Sequence, residues 1–245
     1  MKEAKYAKIK EYCKQLKLGT NMINNIETIE AETHEEFLEK ILEIEVRHRE
    51  ISRRNRYLKQ AGFEIIKTFE NYKFDQIEIP ETISIEELKS ADFIKRKENL
   101  ILYGPVGTGK SHLSTAIGVN ACMNNMKVKF YRTAALVNDL IDTKENGTLK
   151  KLIRQIEKVD LLICDEWGYI PIDVEGAKLL YQIISSCYEK KSIILTTNLE
   201  FSKWNGIFFD EKLTNAIIDR MIHHSHLLIF NGPSYRLQNS LIKYN

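Results

Sequence analysis

The octapeptide Gly104-Pro105-Val106-Gly107-Thr108-Gly109-Lys110-Ser111 constrains this chain more than any other part of it. It fits G-x-x-x-x-G-K-[ST], the phosphate-cradling P-loop. The apolar run Leu100-Ile101-Leu102-Tyr103 before it reads as a buried strand, and His112-Leu113-Ser114-Thr115-Ala116-Ile117 after it can open a helix. Strand, glycine loop and helix are the context the motif needs. The glycines let backbone N–H groups turn toward phosphate oxygens, and the helix N-terminus adds its partial positive charge. Lys110 is placed for the β and γ phosphates of a nucleoside triphosphate, Ser111 for Mg²⁺, and residues 104–112, His112 included, make up the expected cradle. The plainer alternative is a glycine-rich turn.

That alternative loses ground at Asp160-Leu161-Leu162-Ile163-Cys164-Asp165-Glu166. Four apolar residues form a short buried strand that ends in two acids. In a P-loop fold this strand is expected beside the P-loop strand, with its first acid facing Mg²⁺. Asp165 fits that metal role. Glu166, one residue on, is placed to polarise an attacking water. Alone, two acids at a strand end are common; after a P-loop, they point to hydrolysis of ATP.

The chain has 245 residues, room for one large domain or a medium one with a small one. A net charge of +2 says little about partners. The four cysteines, Cys13, Cys122, Cys164 and Cys187, are scattered and form no C-x-x-C pair, which argues against a disulfide framework or a structural zinc site. Cys164, inside the second strand, reads as a small buried apolar residue. The charged start Met1-Lys2-Glu3-Ala4-Lys5 is no signal peptide, and no apolar run is long enough to span a bilayer. The expectation is a soluble, cytoplasmic protein with no membrane partner.

Residues 1 to about 75 look helical and are expected to form an N-terminal domain (1–75) ahead of the nucleotide-binding domain (76–245). Tyr6, Ile9, Cys13 and Leu16 share a helix face, which Gly19 can end. Thr33-x-x-Glu36 is a capping box before a long periodic segment in which Phe37, Ile41, Ile44, His48 and Ile51 form a stripe. From Glu27 to Glu45 there are eight acids and one base, −7; from Val46 to Gln60 six bases and one acid, +5. A helix acidic early and basic late suits its own macrodipole. Arg49, Arg53 and Arg56 also share a face roughly opposite the stripe, with Arg47 and Arg54 to its side and Tyr57 nearby. These five arginines suit a phosphate backbone and are the DNA-binding candidates. A solvated face of i,i+4 ion pairs explains them equally well.

Ile77-Glu78-Ile79-Pro80-Glu81 reads as an extended connection, and Ser84-x-x-Glu87 opens a short helix to about Phe93. Beyond it, strands predicted at 99–103, 127–131, 160–164, 192–196 and 226–230 alternate with helices, for which Thr133 and Asp173 are expected caps. That rhythm predicts an α/β fold with a mainly parallel sheet between helices. Asn198, ending the fourth predicted strand, is placed to sense the γ phosphate and the attacking water. Arg220 and Arg236 flank the last strand and can supply the positive charge that phosphoryl transfer requires, in trans or in cis. His223, His224 and His226 invite a metal reading. It is set aside here, because neighbouring residues on a helix diverge and no cysteine or carboxylate cluster accompanies them.

Gly-Pro-Val-Gly-Thr-Gly-Lys-Ser-His-Leu, Asp-Glu-Trp-Gly-Tyr-Ile-Pro, Thr-Thr-Asn-Leu, Asp-Arg-Met-Ile-His-His and Pro-Ser-Tyr-Arg-Leu together resemble the IstB-like transposition helper ATPases, AAA+ proteins related to the DnaC helicase loaders. The resemblance covers nearly the whole chain. It implies a P-loop AAA+ core with a five-stranded sheet whose strand order is not the sequence order, behind a small helical domain. It implies a homo-oligomer that assembles on duplex DNA with ATP and Mg²⁺, bends the DNA and delivers it to a transposase. Lys110 and Ser111 match the Walker A positions, Asp165 and Glu166 Walker B, and Asn198 sensor 1. Arg220 matches an arginine finger that reaches a neighbouring subunit, and Arg236 a sensor 2 arginine in cis. Val106 replaces the commoner Pro, and Trp167 stands where Leu is commoner. No separate lid domain follows the last strand.

Two other functions compete. A replicative helicase loader of the DnaC type would use the same ATPase with an N-terminal region that grips a helicase. Some loaders carry a cysteine-rich zinc module there, whereas residues 1–75 hold only Cys13. A small-molecule kinase would need an arginine-rich lid, which the core lacks. For the adenine base, Phe74 and Ile79 near the linker are the expected apolar surface.

Overall fold

The expected parallel strands are all present in the computed structural model, which describes residues 2–169, 172–208 and 210–240. They are β2 (Asn99–Tyr103), β3 (Val128–Arg132), β4 (Leu161–Trp167), β5 (Ser192–Thr197) and β6 (Ser225–Phe230). β2, β4 and β5 are buried nearly throughout because both faces are covered, whereas β3 and β6 alternate buried residues with half-buried or exposed ones. Leu100 and Leu102 of β2, Leu161 and Ile163 of β4, and Ile194 of β5 enter one core layer. Ile101, Leu162, Cys164, Ile193 and Leu195 enter the other. The first layer is roofed by α4 (Ile85–Ser90) and α5 (Lys110–Met123), the second by α6 (Thr133–Glu145), α7 (Leu149–Ile156), α8 (Val174–Cys187), the short α9 (Asn205–Phe208) and α10 (Glu211–Ile222). Among the described residues, the last helix is α11 (Tyr235–Gln238).

The sheet has six strands in the order β1-β6-β2-β5-β4-β3. The sixth, β1 (Ile77–Glu78), lies in the segment expected to be an extended connection, and it pairs antiparallel with Phe230 and Ile229 of β6. The order also corrects one expectation: β4 does not lie beside the P-loop strand β2, because β5 runs between them, parallel to both. Two caps behave as predicted: Ser84 and Glu87 close a full capping box, and Asp173 Oδ1 accepts from the Gly176 amide at 2.7 Å. Thr133 does not cap; Arg132 holds the cap position, and the Thr133 hydroxyl instead donates to the Asp165 carbonyl at 2.8 Å.

The chain divides into two units, Met1–Arg56 and Tyr57–Asn245, rather than near residue 75. The reason is apolar: Tyr57, Leu58, Phe63, Phe69, Tyr72 and Phe74 pack on the core layer beneath α5. Helix does not continue to residue 75 either. It ends at Ala61, before Gly62 with φ +80°, a conformation that favours glycine and stops a helix.

The first unit contains α1 (Lys2–Gln15), α2 (Thr20–Asn25) and most of α3 (His34–Ala61). Thr33 accepts from the Glu36 amide, while Glu36 reaches back to the Glu32 amide, a capping box slipped by one residue. Ile41 is buried and Phe37 and Ile44 are half-buried, but the same stripe emerges into solvent at His48 and Ile51. Among the described residues, no helix is long and apolar enough to cross a membrane.

Candidate functional site

Lys110 and Ser111 begin α5, whose N-cap Gly109 has φ +98°. The Lys110 ammonium is buried and donates to the carbonyls of Gly104 and Pro105 at 2.7 and 2.6 Å. Burial lowers its pKa to about 8; the Asp165 carboxylate opposes the shift and the Arg236 guanidinium adds to it. Thr108 Oγ1 closes the turn on the Pro105 carbonyl at 2.8 Å, and Val106 is exposed. At Gly107, φ is +81° and a Cβ would meet Ser234 Oγ at 2.2 Å, so only glycine fits. The Tyr235 amide donates to the Gly107 carbonyl at 3.0 Å. The segment at Ser234 and Tyr235 is therefore held directly on the loop, and Arg236, exposed on α11, stands close enough to Lys110 for its charge to be felt there.

The two acids arrive across β5. Register slips at a bulge between Cys164 and Trp167, where Cys164 pairs with Leu195 and Trp167 with Thr197. Asp165 and Glu166 together therefore oppose Thr196 alone, the two-against-one count of a β-bulge. Glu166 takes φ +58°, costly for a residue with a Cβ and a kind of strain that clusters at functional sites. Thr196 satisfies the bulge on both sides: its hydroxyl donates to Asp165 Oδ1 at 2.5 Å and accepts from the Glu166 amide at 3.0 Å. The Ser111 hydroxyl donates to the same Asp165 oxygen at 2.8 Å. Thus P-loop hydroxyl and strand-end carboxylate, 54 residues apart, are in contact. Their hard oxygens suit Mg²⁺.

Glu166 is half-exposed, and its Oε2 lies 3.9 Å from Arg132 Nε; Arg132 also pairs with Glu64 at 2.6 Å. A cavity of about 260 Å³ opens beside it, lined by Thr133, Val137, Gly168 and Asp173 among others. Asn198 is half-buried at the end of β5, and its Oδ1 is buried without a hydrogen-bond partner among the described residues. Trp167, where Leu is commoner, is fully buried against Trp204 and Phe208, with ring centroids 5.4 and 5.7 Å away. Ile170 and Pro171, the end of that motif, lie outside the described residues.

Sequence reading missed the aromatic group on the other flank of the loop. The Tyr72 hydroxyl donates to the Gly109 carbonyl at 3.3 Å, its ring lies 4.9 Å from that of His112, and His112 Nε2 is 2.8 Å from the Thr68 carbonyl. Burial pushes the Tyr72 phenol well above its ordinary value. Phe74 packs edge-on against Tyr72 at 5.1 Å and stacks with Phe69, so one of the two expected base-contacting residues joins this group. Ile79 packs on the same core layer. Clustered aromatics without periodicity in residues 69–74 were the available signal.

The flanking arginines separate. Arg220, in the last turn of α10, lies over the Tyr181 ring at 5.0 Å and donates to the Ala216 carbonyl at 3.0 Å. Among the described residues, no hydrogen bond or ion pair joins it to the P-loop. The α3 arginines separate too. Arg49 is committed: Nε donates to the buried Glu45 at 2.6 Å and Nη2 to the Lys17 carbonyl at 2.5 Å, while Glu45 also accepts from the Gly19 amide at 2.9 Å. Burial raises the Glu45 pKa, but the bonds from Arg49 and Gly19 outweigh it and hold the carboxyl below its ordinary value. Arg47 pairs with Glu43 in solvent, Arg53 and Arg56 are exposed, and Arg54 is half-buried.

The histidines also depart from expectation. His226 is structural, buried in β6 between Thr82 and Glu98 at 2.7 and 3.1 Å. His223 and His224 do have a carboxylate partner, Glu189, which the sequence places 34 residues away on another loop. The two rings do not diverge, because His223 is the cap of α10 and His224 already lies beyond the helix.

The family profile for IstB-like ATP binding protein matches residues 13–242. The chain is 35% identical to an ATP-binding protein of insertion sequence IS232 from Bacillus thuringiensis over 98% of this chain and 94% of that one. It is also 35% identical to an ATP-binding protein of insertion sequence IS5376 from Geobacillus stearothermophilus, over 96% of each. Among solved structures, the DnaC helicase loader superposes with a TM-score of 0.52 at 19% identity, covering 71% of this chain and 98% of that one. DnaA bound to AMPPCP and single-stranded DNA superposes with a TM-score of 0.55 at 21% identity, covering 70% of this chain and 52% of that one. These two likenesses are of fold, the AAA+ P-loop fold. With its P-loop contacting a strand-end aspartate across an intervening strand, and with the family profile matched over nearly its full length, this chain belongs to the IstB-like ATP-binding proteins of insertion sequences.

Proposed function

We propose that the chain is an ATP-hydrolysing assembly factor that oligomerises on duplex DNA and delivers it to a partner transposase. The observation that carries the reading is the division of labour among its charges. Lys110, Ser111, Asp165 and Arg236 converge on one loop, with Glu166 next in sequence to Asp165, while Arg220 is held on a different helix by Tyr181. A site furnished this way has its phosphate cradle in cis and lacks the second arginine until a neighbouring subunit brings it.

In this reading the backbone of residues 104–112 and Lys110 hold the triphosphate. Ser111 and Asp165 hold Mg²⁺, which would neutralise charge developing on the phosphates. Glu166 takes a proton from the attacking water, with Asn198 orienting it through its unpartnered oxygen. Arg236 meets the γ phosphate in cis, Arg220 in trans, and Tyr72, Phe74 and His112 offer the base an aromatic wall. The exposed arginines of α3, Arg47, Arg53 and Arg56, with the half-buried Arg54 beside them, meet DNA phosphates, and Arg49 braces the helix behind them. The printed names of the relatives, proteins of insertion sequences, support the transposition setting.

The test is steady-state phosphate release with and without long duplex DNA. DNA should stimulate the wild type, and Glu166→Gln and Arg220→Ala should each lose about a hundredfold or more. Glu166→Gln should still bind duplex in an ATP-dependent way, since the cradle is intact. Turnover indifferent to DNA, with Arg220→Ala fully active, would refute the shared site and favour a helicase loader, for which copurification of a replicative helicase is the check.

A further inference from the structure

Away from the nucleotide loop, two helices end at one place. α8 stops at its cap Tyr188 and α10 at its cap His223, and the two helices pack together. Each end presents carbonyls without intrahelical donors and so carries partial negative charge. Glu189 follows the first end; His223 and His224 form the second. His224 Nε2 lies 3.6 Å and His223 Nδ1 4.0 Å from the same oxygen, Glu189 Oε1. All three ligand atoms fall within 4.8 Å of one another, and the two imidazole centroids are 4.1 Å apart. The Tyr188 hydroxyl is 2.7 Å from His223 Nδ1.

An exposed histidine beside a glutamate is ordinarily a weak ion pair that forms only when the ring is protonated. Here two imidazole rings in contact face one carboxylate oxygen at two negatively polarised helix ends, so three ligand atoms converge where a small cation is favoured.

We propose that Glu189, His223 and His224 form a surface site for Zn²⁺, with water completing a tetrahedron. Two imidazole nitrogens and one carboxylate oxygen suit Zn²⁺, whereas Mg²⁺ prefers an all-oxygen set. With bonds of roughly 2.0–2.2 Å, tetrahedral ligand atoms lie about 3.3 Å apart, so the exposed side chains have only to rotate inward. Tyr188 then releases Nδ1 and stays beside the bound water as a hydrogen-bond partner. The ion pins the end of the loop after α8 to the end of α10, near the Tyr181–Arg220 stack. Its bearing on hydrolysis rests on the role proposed for Arg220; its binding does not.

The experiment uses the full chain, stripped with a chelator and titrated with Zn²⁺ under saturating Mg²⁺ against a chromophoric competitor. One Zn²⁺ per chain is expected, weakened about tenfold or more in Glu189→Gln and in His224→Ala, at least the loss that removing an outer-shell partner brings. Co²⁺ should give the wild type a visible d–d band that both variants lack. All three ligands are exposed, so the variants should melt like the wild type without metal and still bind ATP. Binding well below one ion per chain, or binding that survives both substitutions, overturns the site.

Discussion

The Thr196 hydroxyl stands 2.5 Å from Asp165 Oδ1 and also receives the Glu166 amide at 3.0 Å, so a single side chain of β5 holds both acids of β4. The bulge leaves one amide and one carboxylate oxygen in a buried place, and Thr196, itself buried, answers both. Thr196→Val keeps the shape and removes the hydroxyl. Asp165 Oδ1 keeps the Ser111 hydroxyl, but the Glu166 amide is left unsatisfied, so urea unfolding should show a loss of about 1–3 kcal/mol. Turnover should fall by about tenfold or more, because Glu166 is no longer held in its left-handed conformation. A variant as stable and as active as the wild type would contradict this assignment.

The Lys110 ammonium, with a pKa of about 8, loses its proton well below the roughly 10.4 of an unfolded lysine. Between those two values the unfolded chain binds more protons than the folded one, so stability rises with pH across that window. Urea midpoints from pH 7 to 10 should therefore climb relative to Lys110→Met, in which the group is gone. In Arg236→Gln one of the charges pressing the proton off is removed, and the climb should begin at higher pH.

Gly107→Ala tests the seat of the C-terminal segment. An Ala at φ +81° costs roughly 1–2 kcal/mol from the backbone alone, and its methyl would collide with Ser234. Ser234 must move, taking Tyr235 and Arg236 with it. Nucleotide affinity, read by titration with a fluorescent ATP analogue, should fall about tenfold or more. Shortening Ser234 as well, in Gly107→Ala with Ser234→Gly, should restore little, because the backbone strain remains.

Arg49 and Arg53 should behave as opposites. Arg49 ties buried Glu45 to the Lys17 carbonyl, so Arg49→Ala should lower the stability of the N-terminal unit by about 1–2 kcal/mol, discounted for the half-exposed guanidinium. Arg53→Ala should leave melting unchanged and weaken duplex binding, reducing the salt slope by about one. Filter binding across a salt series, beside thermal melts, separates the two.

β2, β4 and β5 were legible because they are buried on both faces and so announce themselves as apolar runs, while β3 and β6 showed alternating residues between predicted helices. β1 was not legible, since two residues, Ile77 and Glu78, are too short a run to read and become a strand only when β6 offers Phe230 and Ile229. The P-loop and the Asp165–Glu166 pair were readable because their chemistry demands fixed residue types at fixed spacing. Thr196 was passed over for Asn198 because the bulge that gives it two partners is a matter of register between strands. Arg49 looked like its neighbours on the helical wheel; what set it apart was Glu45 buried one turn earlier. The Glu189–His223–His224 cluster joins residues far apart in sequence, which no local pattern reveals. The packing of residues 57–74 was hidden for a related reason: their aromatics find their apolar partners beneath α5.

The substitution at Trp167 gives the protein a property of its own. The chain has two tryptophans, and both sit in one aromatic cluster, 5.4 Å apart and sealed from water, immediately after Glu166. Its tryptophan emission therefore comes from a single spot beside Glu166. A change in the conformation of Glu166 has a native optical reporter, readable in a stopped-flow instrument without any label.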